Sequence, residues 1–212
     1  VMFNVSEKLP RRVRLIVLVV FFLSANLVLA DDGPMAQLRP TLSKLTSVLS
    51  DPGLKGDSHK IERRAKIMNS IKVGFDFREM SKRILGSTWR DISEAEREEF
   101  ITQMTKLLEN AYIGKLETYS GQTIGYVSER VKGDRAQVST LIEDEGLKIP
   151  VHYIMTRNGA KWMVYDINIE GVSLVRNYNQ QFRSILRTED FGGLMKVLRE
   201  KNDSFLNGQG QS

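Results

Sequence analysis

The chain contains no cysteine among its 212 residues, which excludes disulfides, thiolate metal sites and cysteine nucleophiles together. Histidine is nearly absent too. His59 opens a basic helical stretch and His152 lies in a strand, and neither has the neighbours of a metal ligand or a general base. No phosphate-cradling glycine loop or Walker motif occurs, so this chain alone does not hydrolyse a nucleotide. Ser173 in "EGVSLV" is not a nucleophile elbow, because Val175 stands where the second glycine belongs; it reads as a helix N-cap instead. These absences leave no catalytic residue with a strong claim, no metal site and no cofactor to expect.

A strong charge excess is also missing. The formal charge is +5, but Lys8, Arg11, Arg12 and Arg14 against Glu7 carry part of it; the other 27 basic and 25 acidic residues leave +2. That is too mild for a nucleic-acid partner. The first thirty residues have the order of an export signal: basic "KLPRRVR", an apolar run from Leu15 to Leu23, then small Val28 and Ala30 ahead of Asp31. We expect a signal peptide over 1–30, cleaved after Ala30, and hence a periplasmic protein. The apolar run is short for a membrane span and is followed by Ser24 and Asn26.

Beyond the leader, the pattern predicts one domain over 31–202 and a frayed tail over 203–212. Leu42, Leu45, Val48 and Leu49 mark a first helix, broken by "DPGLKG"; Ile61, Ala65, Met68 and Ile71 form the stripe of a second. Asp76 with Glu79, and Ser93 with Glu96, match capping boxes. The second box opens a long helix to about Tyr119 whose stripe of Phe100, Met104, Leu107, Leu108, Ala111, Tyr112 and Leu116 predicts packing against a sheet. Four β-rich runs follow, "QTIGYVSERVK", "RAQVSTLIED", "LKIPVHYIMTR" and "AKWMVYDINIE". Turns at "GD", "EG" and "NG" separate them, the last favoured because Asn158 and Gly159 both tolerate positive φ. Pro150 suggests an edge or a bulge. A helix from Ser173 to about Leu186 and a last one capped by Thr188 complete the reading.

The fold class is therefore α+β: helices packed on a curved four-stranded antiparallel sheet, a cone of the NTF2-like or cystatin-like kind enclosing an apolar cavity. Strict alternation puts Trp162 and Val164 on one side of the fourth strand and Met163, Tyr165, Ile167 and Ile169 on the other. Two dry faces mean two packed layers, or one packed layer and one ligand cavity. Asp166, flanked by Tyr165 and Ile167, is the one candidate base, as in an isomerase that removes a proton beside a carbonyl; the alternative, which we favour, is a structural carboxylate.

Four stretches, "FDFREMSKRILGSTWRDISEAEREEF", "LLENAYIGKLETY", "KWMVYDINIEGVSLVRNYNQQFRSIL" and "GGLMKVLREKN", resemble the MlaC family of periplasmic phospholipid-binding proteins from about Leu38 to Asn202. Asn179 departs from that likeness, standing where family members often carry arginine. The resemblance implies a shuttle for glycerophospholipid, working between an outer-membrane lipoprotein/porin complex and an inner-membrane ABC transporter with a substrate-binding ring, that maintains outer-membrane lipid asymmetry. A carrier of another apolar lipid such as a hopanoid stays open beside it. On this reading the lipid-binding candidates are Tyr112, Val151, Tyr153, Met155, Val164 and Tyr165, with Val172, Leu174 and Tyr178 near the mouth; periodicity leaves plain core packing as the equal alternative for each. Arg78, Lys82 and Arg83 are candidates for meeting membrane partners, or simply a solvated helix face.

Overall fold

A computed structural model describes residues 33–206, other than 120 and 145. The expected signal peptide and its cleavage point lie outside the described residues. Helix α1 (Pro34–Ser50) starts earlier than its apolar stripe suggested, with Pro34 in its first turn. Two single turns of 3₁₀-helix, Pro52–Leu54 and Asp57–His59, occupy the predicted break. Helix α2 (Lys60–Gly74) buries Ile67 and Met68, while Ile61, assigned above to the buried stripe, is 87% exposed. The stripe therefore sits closer to the C-terminal end of the helix than the spacing indicated.

Helix α3 (Phe77–Leu85) starts where the Asp76 carboxylate accepts from the Glu79 N–H at 2.8 Å. A one-turn helix α4 (Thr88–Asp91) follows. Then comes the long α5 (Glu94–Glu117), opened by the complete Ser93/Glu96 capping box. Strands β1 (Thr123–Lys132), β2 (Arg135–Asp144), β3 (Leu147–Asn158) and β4 (Lys161–Ile169) form the expected antiparallel meander. A fifth, two-residue strand β5 (Val172–Ser173) was not foreseen; the sheet order is β1-β2-β3-β4-β5. Glu170 and Gly171 both take positive φ (50° and 87°), the left-handed pair that folds β5 back on β4. In the β3–β4 turn only Gly159 does so, and Asn158 stays in the strand opposite Lys161.

Helices α6 (Leu174–Leu186) and α7 (Phe191–Leu206) end the described chain. Ser173 caps α6, accepting from the Arg176 N–H at 3.0 Å. At α7 it is Asp190 that accepts from the Gly193 N–H (2.9 Å), while the Thr188 hydroxyl donates backward to the Ile185 carbonyl. Helix α7 also runs past residue 202, because fully buried Asn202 is held by α5: its Nδ2 donates to the Gln103 carbonyl at 3.0 Å. Pro150 sits on central strand β3, where pairing with β4 gives out; its carbonyl accepts from Glu170.

Two larger apolar clusters result. Helices α3, α5, α6 and α7 pack around Phe100, Met104, Phe182, Leu194 and Leu198, with Phe100 and Phe182 edge to face at 6.0 Å. The upper stripe of α5 thus packs on helices, not on the sheet as expected. Leu38 and Leu42 of α1 cover Val138, Val151, Tyr153, Met155, Trp162 and Val164 on one sheet face. A smaller group of Leu49, Ile67 and Ile113 joins the two-helix pair to α5. Among the described residues no helix is long and apolar enough to cross a membrane.

Where α1 and α2 meet, a methyl group on Gly74 would lie 2.5 Å from the Thr41 Oγ1 and 2.8 Å from its Cγ2. Overpacking of this kind costs about 1–3 kcal/mol. We expect Gly74→Ala to lower the urea midpoint accordingly, and adding Thr41→Ala to restore part of the loss.

Candidate functional site: an apolar cavity between sheet and helices

Strand β4 explains how a cavity arises. Met155 pairs with Val164 and Ile154 with Asp166, so Tyr165 is an extra residue in the ladder. A one-residue bulge reverses every later side chain, which corrects the alternation above. Ile167 and Ile169 now share the face of Trp162 and Val164, while Tyr165 turns toward the helical core. The parallel bridge between Phe75 and Val164, with Asp76 N–H donating to the Val164 carbonyl at 2.8 Å, pins the α2–α3 junction over this point.

The face shared by Val164 and Ile169 is covered only at one end. Toward the other, α1, α2 and α5 stand off the sheet around a cavity of about 370 Å³. Its walls are Leu42 and Leu45 of α1, Met68 and Ile71 of α2, Phe75, Phe77 and Met80 around the start of α3, and Leu108, Tyr112, Ile113 and Leu116 of α5. The sheet contributes Ile142, Val151, Tyr153, Ile167 and Ile169, and Leu174 closes one side. Glu109 and Lys115 are the charged residues on this wall, with the Lys115 ammonium 5.9 Å from the Tyr112 ring centre.

Four of the nine residues expected from sequence, Tyr112, Val151, Tyr153 and Leu174, come together here. Met155 and Val164 share the sheet face but are buried under α1; Tyr165 and Tyr178 belong to the helical core; Val172 is 58% exposed on β5. The α1–α2 stripes and the "FDF" aromatics were missed as wall residues because helical spacing marks a buried face without saying what it faces.

Burial raises the pKa of Tyr153 and Tyr112 on the cavity wall and of Tyr178 in the helical core. Tyr153, enclosed within the sheet cluster, is pushed up strongly by loss of solvation. Tyr178 is pushed up to about 12, by burial first and then by neighbouring Tyr112, with which it shares a hydrogen bond; Tyr112 is raised by burial, that bond opposing. A phenol whose folded-state value lies above its unfolded one stabilises the fold fully below the unfolded value, and that contribution is lost as pH climbs through the folded value. Stability should therefore fall between pH about 10 and about 12, and absorbance titration should show Tyr178 and Tyr153 ionising above the ordinary phenol range. Tyr178→Phe should flatten the decline.

Asp166 does not face this cavity. Its Oδ2 accepts from the Ser173 hydroxyl at 2.6 Å and its Oδ1 from the Val175 N–H at 3.0 Å, so both oxygens are used to hold β4 to the start of α6. This geometry favours the structural carboxylate over the base. Asp166→Ala leaves two donors unpaired, and we expect a loss of about 2–4 kcal/mol in chemical denaturation, against about 1 for Ser173→Ala. The three cations proposed to meet partners are also engaged: Arg78 with Glu94 and Glu98, Lys82 and Arg83 with Glu79. Asn179 donates to the Ile84 carbonyl at 2.7 Å, satisfying the end of α3.

Fold and cavity define a class: an α+β domain in which an open antiparallel sheet and its helices enclose an apolar cavity. The chain belongs to the MlaC family, whose model, "MlaC protein", matches residues 39–200. It is 25% identical over 187 residues to the intermembrane phospholipid transport system binding protein MlaC of Haemophilus influenzae, spanning 84% of this chain and 86% of that protein. Among solved structures it resembles the phospholipid-binding protein of Ralstonia solanacearum in complex with a phospholipid. There the TM-score is 0.73 at 24% identity, over 81% of this chain and 97% of the other.

Proposed function

We propose that this protein is a periplasmic phospholipid carrier without enzymatic activity, exported by its leader and cleaved after Ala30. It takes glycerophospholipid between an outer-membrane lipoprotein/porin complex and an inner-membrane ABC transporter with a substrate-binding ring, and so maintains outer-membrane lipid asymmetry. The observation that carries the reading is the cavity, of about 370 Å³ and walled almost wholly by aliphatic and aromatic side chains. That volume lies within the ~300–1,000 Å³ of small-molecule sites. The family membership and the phospholipid named for both relatives support it.

The physical need is plain. At ~0.8 kcal/mol per methylene, two long acyl chains cost on the order of 20 kcal/mol to expose to water, so a lipid does not cross an aqueous gap unaided. A cavity without hydrogen-bonding demands takes up such chains by excluding water. On this reading Tyr112, Val151, Tyr153 and Leu174 contact acyl chains, and half-exposed Tyr112 beside Glu109 and Lys115 marks the polar side.

The test is native mass spectrometry on protein exported to a periplasm and purified without detergent. We expect co-purifying glycerophospholipid, and we expect Ile167→Trp, which fills the cavity from a half-buried wall position, to lose it while keeping the wild-type circular dichroism. A hopanoid in place of phospholipid would change the cargo. Protein that is empty and takes up no added lipid would overturn the carrier reading.

A further inference from the structure

A second, unrelated recess lies at the far end of α3. Phe77 and Met80, near the start of that helix, line the apolar cavity, whereas Ile84 and Leu85 at its end line a recess of about 200 Å³. Met80 and Ile84 are four residues apart, so about one helical turn, roughly 6 Å, separates the two linings along α3. The rest of this recess is Ser87, Thr88, Asn179, Leu186 and the arginines Arg183 and Arg187.

Its polar groups are one-sided. Arg183 in the last turn of α6 and Arg187 at its C-cap stand four residues apart, a like-charge spacing that is mildly unfavourable by itself. Neither guanidinium has an ion-pair or hydrogen-bond partner among the described residues, in contrast to Arg78 and Arg83. The Ser87 hydroxyl on the same recess caps no helix N–H. Asn179 already donates to the nearest carbonyl, that of Ile84. No carboxylate lines the recess. Two exposed guanidiniums and two hydroxyls lining one hollow suit a ligand that only accepts hydrogen bonds. The neighbouring recess, sharing Thr88 and Leu186, carries Asp91, Glu96, Glu189 and Asp190. That acidic border rejects an extended polyanion and leaves room for one small group.

We propose that Arg183, Arg187, Ser87 and Thr88 bind a single phosphate-class oxyanion, at a site separate from the acyl-chain cavity and independent of the carrier reading. Titration of the full protein with inorganic phosphate, at ionic strength held constant with chloride, should shift the Ser87 and Thr88 amide and Arg183 and Arg187 side-chain resonances saturably. R183Q/R187Q should raise the phosphate Kd by at least about tenfold, while R176Q, on the same helix outside the recess, should not change it. Phosphatidylcholine vesicles with and without phosphatidic acid then separate the sources. Displacement of phosphate by the acidic vesicles alone assigns the site to lipid headgroups at a membrane surface, and persistence of the bound phosphate assigns it to a free phosphate species. Shifts that chloride reproduces, no saturation, or an R183Q/R187Q protein that binds like the wild type would overturn the proposal, with circular dichroism confirming that the variant is folded.

Discussion

The extra residue at Tyr165 is the constraint on which the rest of the architecture depends. Without it, β4 would present Trp162 and Val164 to one side and Ile167 and Ile169 to the other, and neither face would carry a continuous apolar strip. With it, the strip runs unbroken along the sheet, from the part covered by α1 to the part that walls the cavity. The same shift brings Tyr165 and Asp166 under the helices, where Asp166 can receive Ser173 and the start of α6. One backbone irregularity therefore sets both the cavity-facing surface and the joint that anchors the helical layer behind it.

The cavity persists because the helices that could fill it are held elsewhere. The upper part of α5 is committed to α7 through Phe100, Met104 and the Asn202 network, and only its last turns, with Tyr112, Ile113 and Leu116, reach over the sheet. Arg63 donates to the Glu117 carbonyl at 3.1 Å, tying that end to α2 rather than letting it settle on the strands. Closed over and empty, an apolar void of about 370 Å³ would cost on the order of 9 kcal/mol at ~24 cal/mol per Å³, comparable to the whole stability of a typical domain. A fold that bears such a space gains from whatever apolar molecule fills it, and ligand uptake and stability are then linked.

Much of this was legible in the sequence wherever a local rule had no competitor. The Ser93/Glu96 capping box, the Ser173 cap and the Gly133 and Gly159 turns stand where their chemistry put them, because each depends on neighbours within a few residues. Along β3, Ile149, Val151, Tyr153 and Met155 share one face, as plain alternation requires. What failed depended on distant partners. Alternation in β4 broke at a bulge that no residue type announces, and Thr188 lost the cap to Asp190. The basic residues of α3, read as candidate contacts, were matched by glutamates on α3 itself and on α5. Of the candidate lipid contacts, Tyr112, Val151, Tyr153 and Leu174 reached the cavity, whereas Met155, Val164, Tyr165 and Tyr178 were drawn into packed layers, since periodicity locates a dry face and tertiary packing decides what dries it.

An apolar wall of this kind also constrains how a cargo is released. Burial against aliphatic side chains is non-directional and scales with area, so a chain gains about as much per methylene here as in a bilayer, and exchange between the two is close to balanced. Specific polar clamps would deepen one state and slow the exchange. Among the described residues the charged groups on the wall are Glu109 and Lys115, of opposite sign and set at its edge. In the proposed carrier, affinity therefore comes from volume and dryness, and the direction of transport from differential interactions with the partners at either end. The bulge in β4 serves that arrangement, because it keeps the wall one continuous apolar surface.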